Sequence, residues 1–422
     1  MLTVQTTPAQ RADVASDTMV TSVLLVPVVL MLVVYSGALS WLLDGRPRVV
    51  ESALLPALSL VGVLVAILAG TAVVRVSLIV LWLVVWQLMA LAWAFDVPSS
   101  FFLARTEVMS VFMCSLIVGS FDSAQLRKLF TVTASIMIVV TLLAVVTVPE
   151  ARSVAERDRA VGLEVNTWRG FFPHKNSMGV WTAIYAVSAL ALMKGRARIA
   201  MVTAGTVLVL GSRSVTALLT FGIGVVIWAW ARSMFRRSAN ISIAIGFGVA
   251  VATLAGVTVL QNLSTLVGWF GKDPTLTGRT TIWREVWSSI GERPFTGYGP
   301  AGFWYSEGEF RAALDRRIGF GVFQAHQGVL EALLLYGIPG VIIIGVVLFA
   351  VTRLGIQFGA RGQGELGAFV VAVMSMIALA SLSEPMFTGG GLDLLLVLLA
   401  GLASAQRWVS DSPSTATPAL RE

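Results

Sequence analysis

His326 and Gln327, followed after nine residues by Gly337-Ile338-Pro339-Gly340, place one of the chain's two histidines at the mouth of a long apolar run. Imidazole, with an unperturbed pKa of about 6.5, accepts a proton at neutral pH. The chemistry this position suggests is general-base catalysis at a membrane surface. If His326 sits at or just before the start of the helix that follows, the positive helix end would disfavour imidazolium and keep the ring competent as a base. An interfacial histidine with no chemistry is the alternative reading. Glu331 falls in the first turns of the same helix and suits its dipole. It comes near His326 only if His326 lies outside the helix, because five residues do not return to one face.

Three further clusters could serve an anion. A loop with Arg169, Phe171, Phe172, His174 and Lys175 turns at Pro173 into an apolar run. Asn176 or Ser177 can cap the helix there, or the capped end with His174 and Lys175 beside it can hold an anion. Gly211-Ser212-Arg213-Ser214 joins two runs that are too short, from Ile199 to Ala231, for two full spans of about 20 residues each. Arg213 is thereby set at or beneath headgroup depth, where an arginine faces a cavity, a partner or a bound anion, or else snorkels outward.

The third cluster is Thr277-Gly278-Arg279-Thr280 and the segment after it. Ile282, Trp283, Val286, Trp287 and Ile290 recur at helical spacing, with Arg284, Glu285, Ser288, Ser289 and Glu292 opposite. The pattern predicts an amphipathic helix lying in the outer interface with its tryptophans at headgroup level. Arg279 stands at its start, where guanidinium and free N–H groups can grip one phosphate together. An anchor that binds nothing has the same pattern. Arg293-Pro294-Phe295-Thr296-Gly297-Tyr298-Gly299-Pro300 is a turn that brings the chain back toward this region.

The elements that must position these residues are membrane helices. Hydrophobic residues make up 56% of the chain, charged residues 13%, and the mean hydropathy is +0.84, which excludes an ordinary soluble domain. About twelve apolar spans of roughly 17 to 25 residues can be read between Thr21 and Ala405. They include Val108–Phe121, Leu129–Val148, Asn176–Met193, Ile199–Gly211, Val215–Trp230, Gly328–Val351 and Leu366–Leu382. The fold expected is an all-α integral membrane protein.

Bases gather at Arg127 and Lys128, at Lys194, Arg196 and Arg198, at Arg232, Arg236 and Arg237, and at Arg353 and Arg361. By the positive-inside rule these loops and both termini face the cytoplasm. The organisation expected is a cytoplasmic tail over 1–17, nine spans over 18–260 with a short outer loop at 149–175, a large outer loop over 261–327, three spans over 328–405 and a disordered tail over 406–422. The polar start Met1–Asp17 lacks a signal-peptide pattern, so the first span is expected to remain as an anchor.

A net charge of +7 without a separate basic domain favours an anionic lipid or phosphorylated ligand over nucleic acid, or plain anchoring at the membrane surface. Cys114 is the sole cysteine, which leaves no disulfide and no thiol metal site. No Walker loop, dinucleotide fingerprint, His-Glu-x-x-His or paired carboxylates within a loop can be found, so phosphate recognition rests on arginines and no cofactor is expected.

His326-Gln327, nine residues, then Gly337-x-x-Gly340 resembles the His-[Asn/Ser/Gln], nine residues, Gly-x-x-[Gly/Thr/Tyr] signature of the O-antigen ligase and O-antigen polymerase superfamily. Gly170-Phe-Phe-Pro-His-Lys-Asn-Ser-Met-Gly179, Ser212-Arg213-Ser214, Thr277-Gly-Arg-Thr280, Arg293-Pro-x-x-Gly-Tyr-Gly299 and Ser383-Glu384 look like further blocks of the branch that polymerises exopolysaccharide repeats. The blocks run in family order from about residue 165 to 390.

The resemblance implies a metal-independent glycosyltransferase of the inner membrane, its site facing the periplasm or exterior. It would take a glycan from an undecaprenyl diphosphate carrier and join it to the hydroxyl of an acceptor glycan, with membrane lipid and a chain-length regulator as further partners. His326 would be the base that activates the acceptor, and Arg213 and Arg279 would bind the diphosphate. Arg169, His174, Lys175, Asn176, Arg284, Gln327, Glu331 and Glu384 are the expected substrate contacts around them.

An Arg-x-x-x-Leu motif of the ligases is absent from the large outer loop, where Arg311-Ala-Ala-Leu314 is one residue short. That favours a repeat-unit polymerase over the alternative, a ligase acting on lipid A, protein or another acceptor. A transporter of lipid-linked oligosaccharide would instead place ionisable groups near the midplane and show inverted repeats.

Overall fold

The computed structural model describes residues 78–120, 123–152, 167–172, 174–237, 279–306, 308–319 and 321–387, with isolated helical positions between 57 and 64. The spans expected at Thr21–Leu43, Ile241–Leu260 and Leu392–Ala405, most of Ser52–Thr71, both tails and the loop segments 153–166 and 261–278 lie outside the described residues. Every regular element among the described residues is helical, with no strand.

Helices α1 (Leu78–Met89), α2 (Val97–Ser120), α3 (Ser123–Thr147), α4 (Lys175–Leu192), α5 (Gly195–Gly211) and α6 (Val215–Arg236) come before the large loop. Helices α7 (Arg279–Glu292) and α8 (Glu309–Ile318) lie within it, and α9 (Gly328–Ala360) and α10 (Gly364–Ala380) follow. Ala124–Thr147, Val215–Arg236 and Gly328–Ala360 are long and apolar enough to cross a bilayer. Their outward faces agree with that use. Ile136, Val139, Val140, Leu143 and Val146 on α3, and Ile342, Val346 and Phe349 on α9, form exposed stripes at helical spacing, which only a lipid environment accommodates at no cost. The chain is a membrane protein with transmembrane helices.

The inward faces of α4, α6, α9 and α10 share one core, in which Val180, Ile184, Ala217, Val347, Phe369, Val373 and Ile377 are buried. Small residues bring α9 and α10 together: a Cβ on Gly367 would lie 2.5 Å from Gly359 Cα, so the two backbones are in contact there. At one end of this bundle Glu365, at the start of α10, accepts from Arg232 Nε at 2.6 Å and Arg236 Nη2 at 3.3 Å at the end of α6. The other end carries the candidate site.

Three expectations are corrected. The Ile199–Gly211 span begins earlier, at Gly195, so the hairpin around Arg213 joins helices of 17 and 22 residues. The amphipathic helix α7 does not lay its whole apolar face into lipid. Ile282, Val286 and Ile290 are buried in a second core with Tyr298, Phe303, Trp304, Leu314 of α8, Leu334 and Tyr336, while Trp287 remains exposed. The loop supplies enough apolar side chains to build its own core, and burial against protein also satisfies the Trp283 indole, which lipid cannot.

The third correction concerns the run after His326, which is two helical segments meeting at Gly337, where φ is 66° and ψ is −174°. The break frees backbone groups, and four of them find partners elsewhere in the chain. Leu334 O accepts from Tyr298 N–H at 2.9 Å, Leu335 O from Gly299 N–H at 3.0 Å, and Tyr336 O from the Trp86 indole at 3.1 Å. Ile338 N–H donates to Pro294 O at 2.8 Å. Pro339 then sits in the first turn of the second segment, where its missing N–H costs nothing. The turn at Arg293–Pro300 is therefore docked into the break, and Gly328–Tyr336 is a short helix aimed at the site while Ile338–Ala360 serves as the span.

Candidate active site

Segments far apart in sequence meet around one carboxylate. Glu384, 4% exposed, lies in the turn after α10. Its Oε1 accepts from Asn176 Nδ2 at 2.7 Å and from Arg279 Nη2 at 3.3 Å, and its Oε2 lies 3.9 Å from His326 Nδ1. Arg279 also donates from Nη1 to Ser383 O at 2.9 Å. Thr216 Oγ1 and Ser383 Oγ share a hydrogen bond of 2.6 Å, which draws the start of α6 and the Arg213 turn to the same corner. Gly328 N–H donates to Ser381 O at 2.6 Å and ties in the start of α9.

Local sequence explains each arrival. The start of α4 is capped by neither Asn176 nor Ser177, as expected from their types, but by His174, whose Nδ1 accepts from Asn176 N–H at 3.2 Å. Asn176 is thus free to turn its amide onto Glu384. A neutral His174 making that bond carries its proton on Nε2. Burial alone pushes the Glu384 carboxyl up, but the facing His326 ring and the charge of Arg279 outweigh it and hold the carboxyl below the usual carboxylate value. Glu384 is accordingly a carboxylate at neutral pH.

His326 itself has a backbone φ of 53° and Arg213 one of 50°; they are the two non-glycine residues with positive φ among the described residues. Such a conformation costs on the order of 1–3 kcal/mol and persists only where surrounding contacts impose it. At His326 those contacts are visible. The preceding peptide is clamped on both sides, Ala325 N–H donating to Glu331 Oε2 at 2.6 Å and Ala325 O accepting from the Trp283 indole at 2.9 Å. Glu331 Oε1 accepts from the Trp304 indole at 2.8 Å, and the Gln327 side chain caps α9 by accepting from Leu330 N–H. Gln324 Nε2 stands 3.1 Å from His326 Nδ1. Glu331 therefore meets the backbone beside His326, with Gln327 spent on the helix end.

The remaining candidates divide between the site and its surroundings. Arg213 is exposed on the turn beside the cluster. Arg169 lies nearby, since Trp168 N–H donates to Gly211 O at 3.0 Å, and its own Nε donates to Glu150 O at 3.1 Å. The Trp168 ring covers Gly211, where an added Cβ would come within 2.0 Å of it. Lys175, half-buried, opens α4. Arg284 is exposed on α7, about 140° around the helix from Arg279 at 3.6 residues per turn, and faces away from the cluster. Trp304 and Thr216 carry no signal in the sequence, because each acts through a partner remote in the chain.

His326 Nδ1 faces Glu384 Oε2 at 3.9 Å and the Gln324 side-chain amide at 3.1 Å; with that amide turned so that its oxygen faces the ring, Nδ1 carries the proton and the Nε2 lone pair is left to accept another. Arg279, its side chain 19% exposed, is oriented by two acceptors and keeps further N–H groups for an anion.

Residues 199–345 match the family model for O-antigen ligase, a stretch that includes Arg213, Arg279, His326 and Gly337. The exopolysaccharide production protein ExoQ of Rhizobium meliloti (strain 1021) is 30% identical over 195 residues, covering 42% of this chain and 44% of that protein. The chain thus aligns with less than half the length of this curated relative. Over residues 199–345 this membrane protein is similar to O-antigen ligase, and over 195 residues to a protein of exopolysaccharide production.

Proposed function

We propose that the protein is a glycosyltransferase that polymerises polysaccharide repeat units at the outer face of the bacterial inner membrane. Its donor is a glycan on undecaprenyl diphosphate and its acceptor a hydroxyl of a second lipid-linked unit. The observation that carries the reading is the convergence of His326, Arg279, Asn176 and Glu384 at the end of the bundle opposite the Arg232–Glu365 pair, within a segment matching O-antigen ligase.

In this reading His326 Nε2 removes the acceptor hydroxyl proton as the oxygen attacks the anomeric carbon. The bond from that carbon to the diphosphate oxygen breaks, and undecaprenyl diphosphate departs with the electron pair. Arg279 and Arg213 stabilise the charge that develops on it, the task for which a preorganised guanidinium suits a water-poor site. Glu384 holds the His326 tautomer and the orientation of Arg279, and Glu331 holds the backbone that carries His326. Turnover in excess chelator tests whether arginines alone supply the charge.

A strain lacking the protein is expected to accumulate single lipid-linked repeats. The description of the matching family favours a second reading, a ligase that transfers finished chains. Accumulation of full-length undecaprenyl-linked polymer would replace the first reading with the second.

A further inference from the structure

Beside the cluster, on the loop that leads to His326, two aromatic rings stand open. Phe323 is 48% and Tyr305 41% exposed. Their centroids are 6.4 Å apart at an interplanar angle of 38°, a shallow tilted pair. The guanidinium of Arg311 lies over one face of Phe323 at 4.5 Å. Arg311 is fixed in turn, donating from Nε to Asp315 Oδ2 at 3.0 Å and from Nη1 to Trp304 O at 2.8 Å, and paired with Asp315 Oδ1 at 2.9 Å.

We infer that Tyr305 and Phe323 form a platform for a pyranose ring of the acceptor glycan. The weakly polar C–H face of a sugar matches the negative face of an aromatic ring, and a ring already immobilised from behind loses little freedom on binding. Asp315 offsets the charge of Arg311, so the patch is locally neutral and suits a hydroxylated ring better than a phosphate headgroup. Helix α8 beneath it carries Glu309, Arg311, Asp315, Arg316 and Arg317 in ten residues and buries its apolar Leu314 and Ile318 against protein, so it has no apolar face left for the hydrocarbon of a bilayer. Only two residues lie between Phe323 and His326, at most about 10 Å of extended chain, and the first of them, Gln324, touches the His326 ring. A glycan stacked here therefore presents a hydroxyl one or two sugar units from the proposed base. The inference rests on the glycan-transfer reading.

The test uses the full chain in lipid nanodiscs and, as probe, repeat-unit oligosaccharide released by partial hydrolysis from the polysaccharide of the producing strain. Wild type is expected to bind it saturably in calorimetry. Phe323→Ala should weaken that binding about tenfold, the loss of one stacking contact of about 1.4 kcal/mol, whereas Phe323→Trp should restore it. The His326→Ala variant should bind the oligosaccharide as wild type does. Unchanged affinity in Phe323→Ala and Tyr305→Ala would overturn the platform, as would quenching of Phe323→Trp fluorescence by brominated lipids, which would make the pair a membrane contact. The two readings fail separately: normal transfer by His326→Ala overturns the base assignment and leaves the platform intact.

Discussion

Replacing Glu384 by glutamine changes one oxygen to an amide and tests the arrangement around it. The carboxylate now accepts two hydrogen bonds on Oε1, from Asn176 Nδ2 and Arg279 Nη2, and faces His326 Nδ1 across 3.9 Å from Oε2. Glutamine offers a single oxygen. If that oxygen keeps Asn176 and Arg279, its NH₂ faces His326 Nδ1, which then accepts and moves the ring proton to Nε2, where the base must be free. If the oxygen turns to His326, two donors confront the NH₂ instead. The first outcome occupies the lone pair of the base and the second displaces Arg279 from the site, so turnover should fall by about 10² to 10⁴ either way. Breaking a buried pair by removing one partner costs about 3–5 kcal/mol, but Arg279 is 19% exposed and keeps Ser383 O, so about 1–2 kcal/mol of stability is expected to be lost. Polymer formation from purified lipid-linked repeats and thermal unfolding in the same nanodiscs measure both. A Glu384→Gln variant with turnover within about twofold of wild type would refute the reasoning, since no general-base contribution of the stated size would remain.

Gly337→Ala places a Cβ 2.4 Å from Phe295 O at a φ of 66°; the conformation and the clash together should cost about 2–5 kcal/mol, read as a lowered unfolding temperature, and an unchanged temperature would contradict the break described at Gly337. Because the folded-state pKa of Glu384 is depressed, its contribution to stability is present above its ordinary value of 4.5 and is lost as pH falls through the lower folded value. The stability difference between wild type and Glu384→Gln should therefore shrink as solutions are acidified below that point, and a difference that holds constant would show that the charge is not responsible. Arg279→Lys should lower both donor affinity and turnover, because one ammonium cannot serve Ser383 O, Glu384 and a phosphate in fixed directions; full activity would count against the fork.

The sequence made the membrane class legible through composition, and the order of the blocks from Arg169 to Glu384 marked the residues that gather. Spacing alone could also identify Gly337-x-x-Gly340 as a place of close approach. It could not show that Gly337 ends one helix and starts another, because the apolar pattern runs on through it and the freed carbonyls are satisfied by Trp86, Tyr298 and Gly299, which are far away in the chain. Nor could it tell Asn176 from His174 as the cap of α4: asparagine is the commoner cap by type, but Glu384 captures its amide. Glu331 was visible as an acid near the histidine, yet its partners Trp304 and Ala325 N–H are set by how the outer loop folds. What pattern reveals is each residue's helix and face; what it omits is the long-range hydrogen bonding that decides which polar group is spent on structure.

The central claim is that His326 Nε2 takes the acceptor proton in a site held by Glu384 and Arg279. Single-turnover transfer on purified undecaprenyl-diphosphate-linked repeats, followed by mass spectrometry in wild type and His326→Ala beside a donor-binding measurement, tests it most directly. In His326→Ala transfer should fall by about 10² to 10⁴ while donor affinity changes by less than about threefold. Transfer at the wild-type rate in His326→Ala would contradict it.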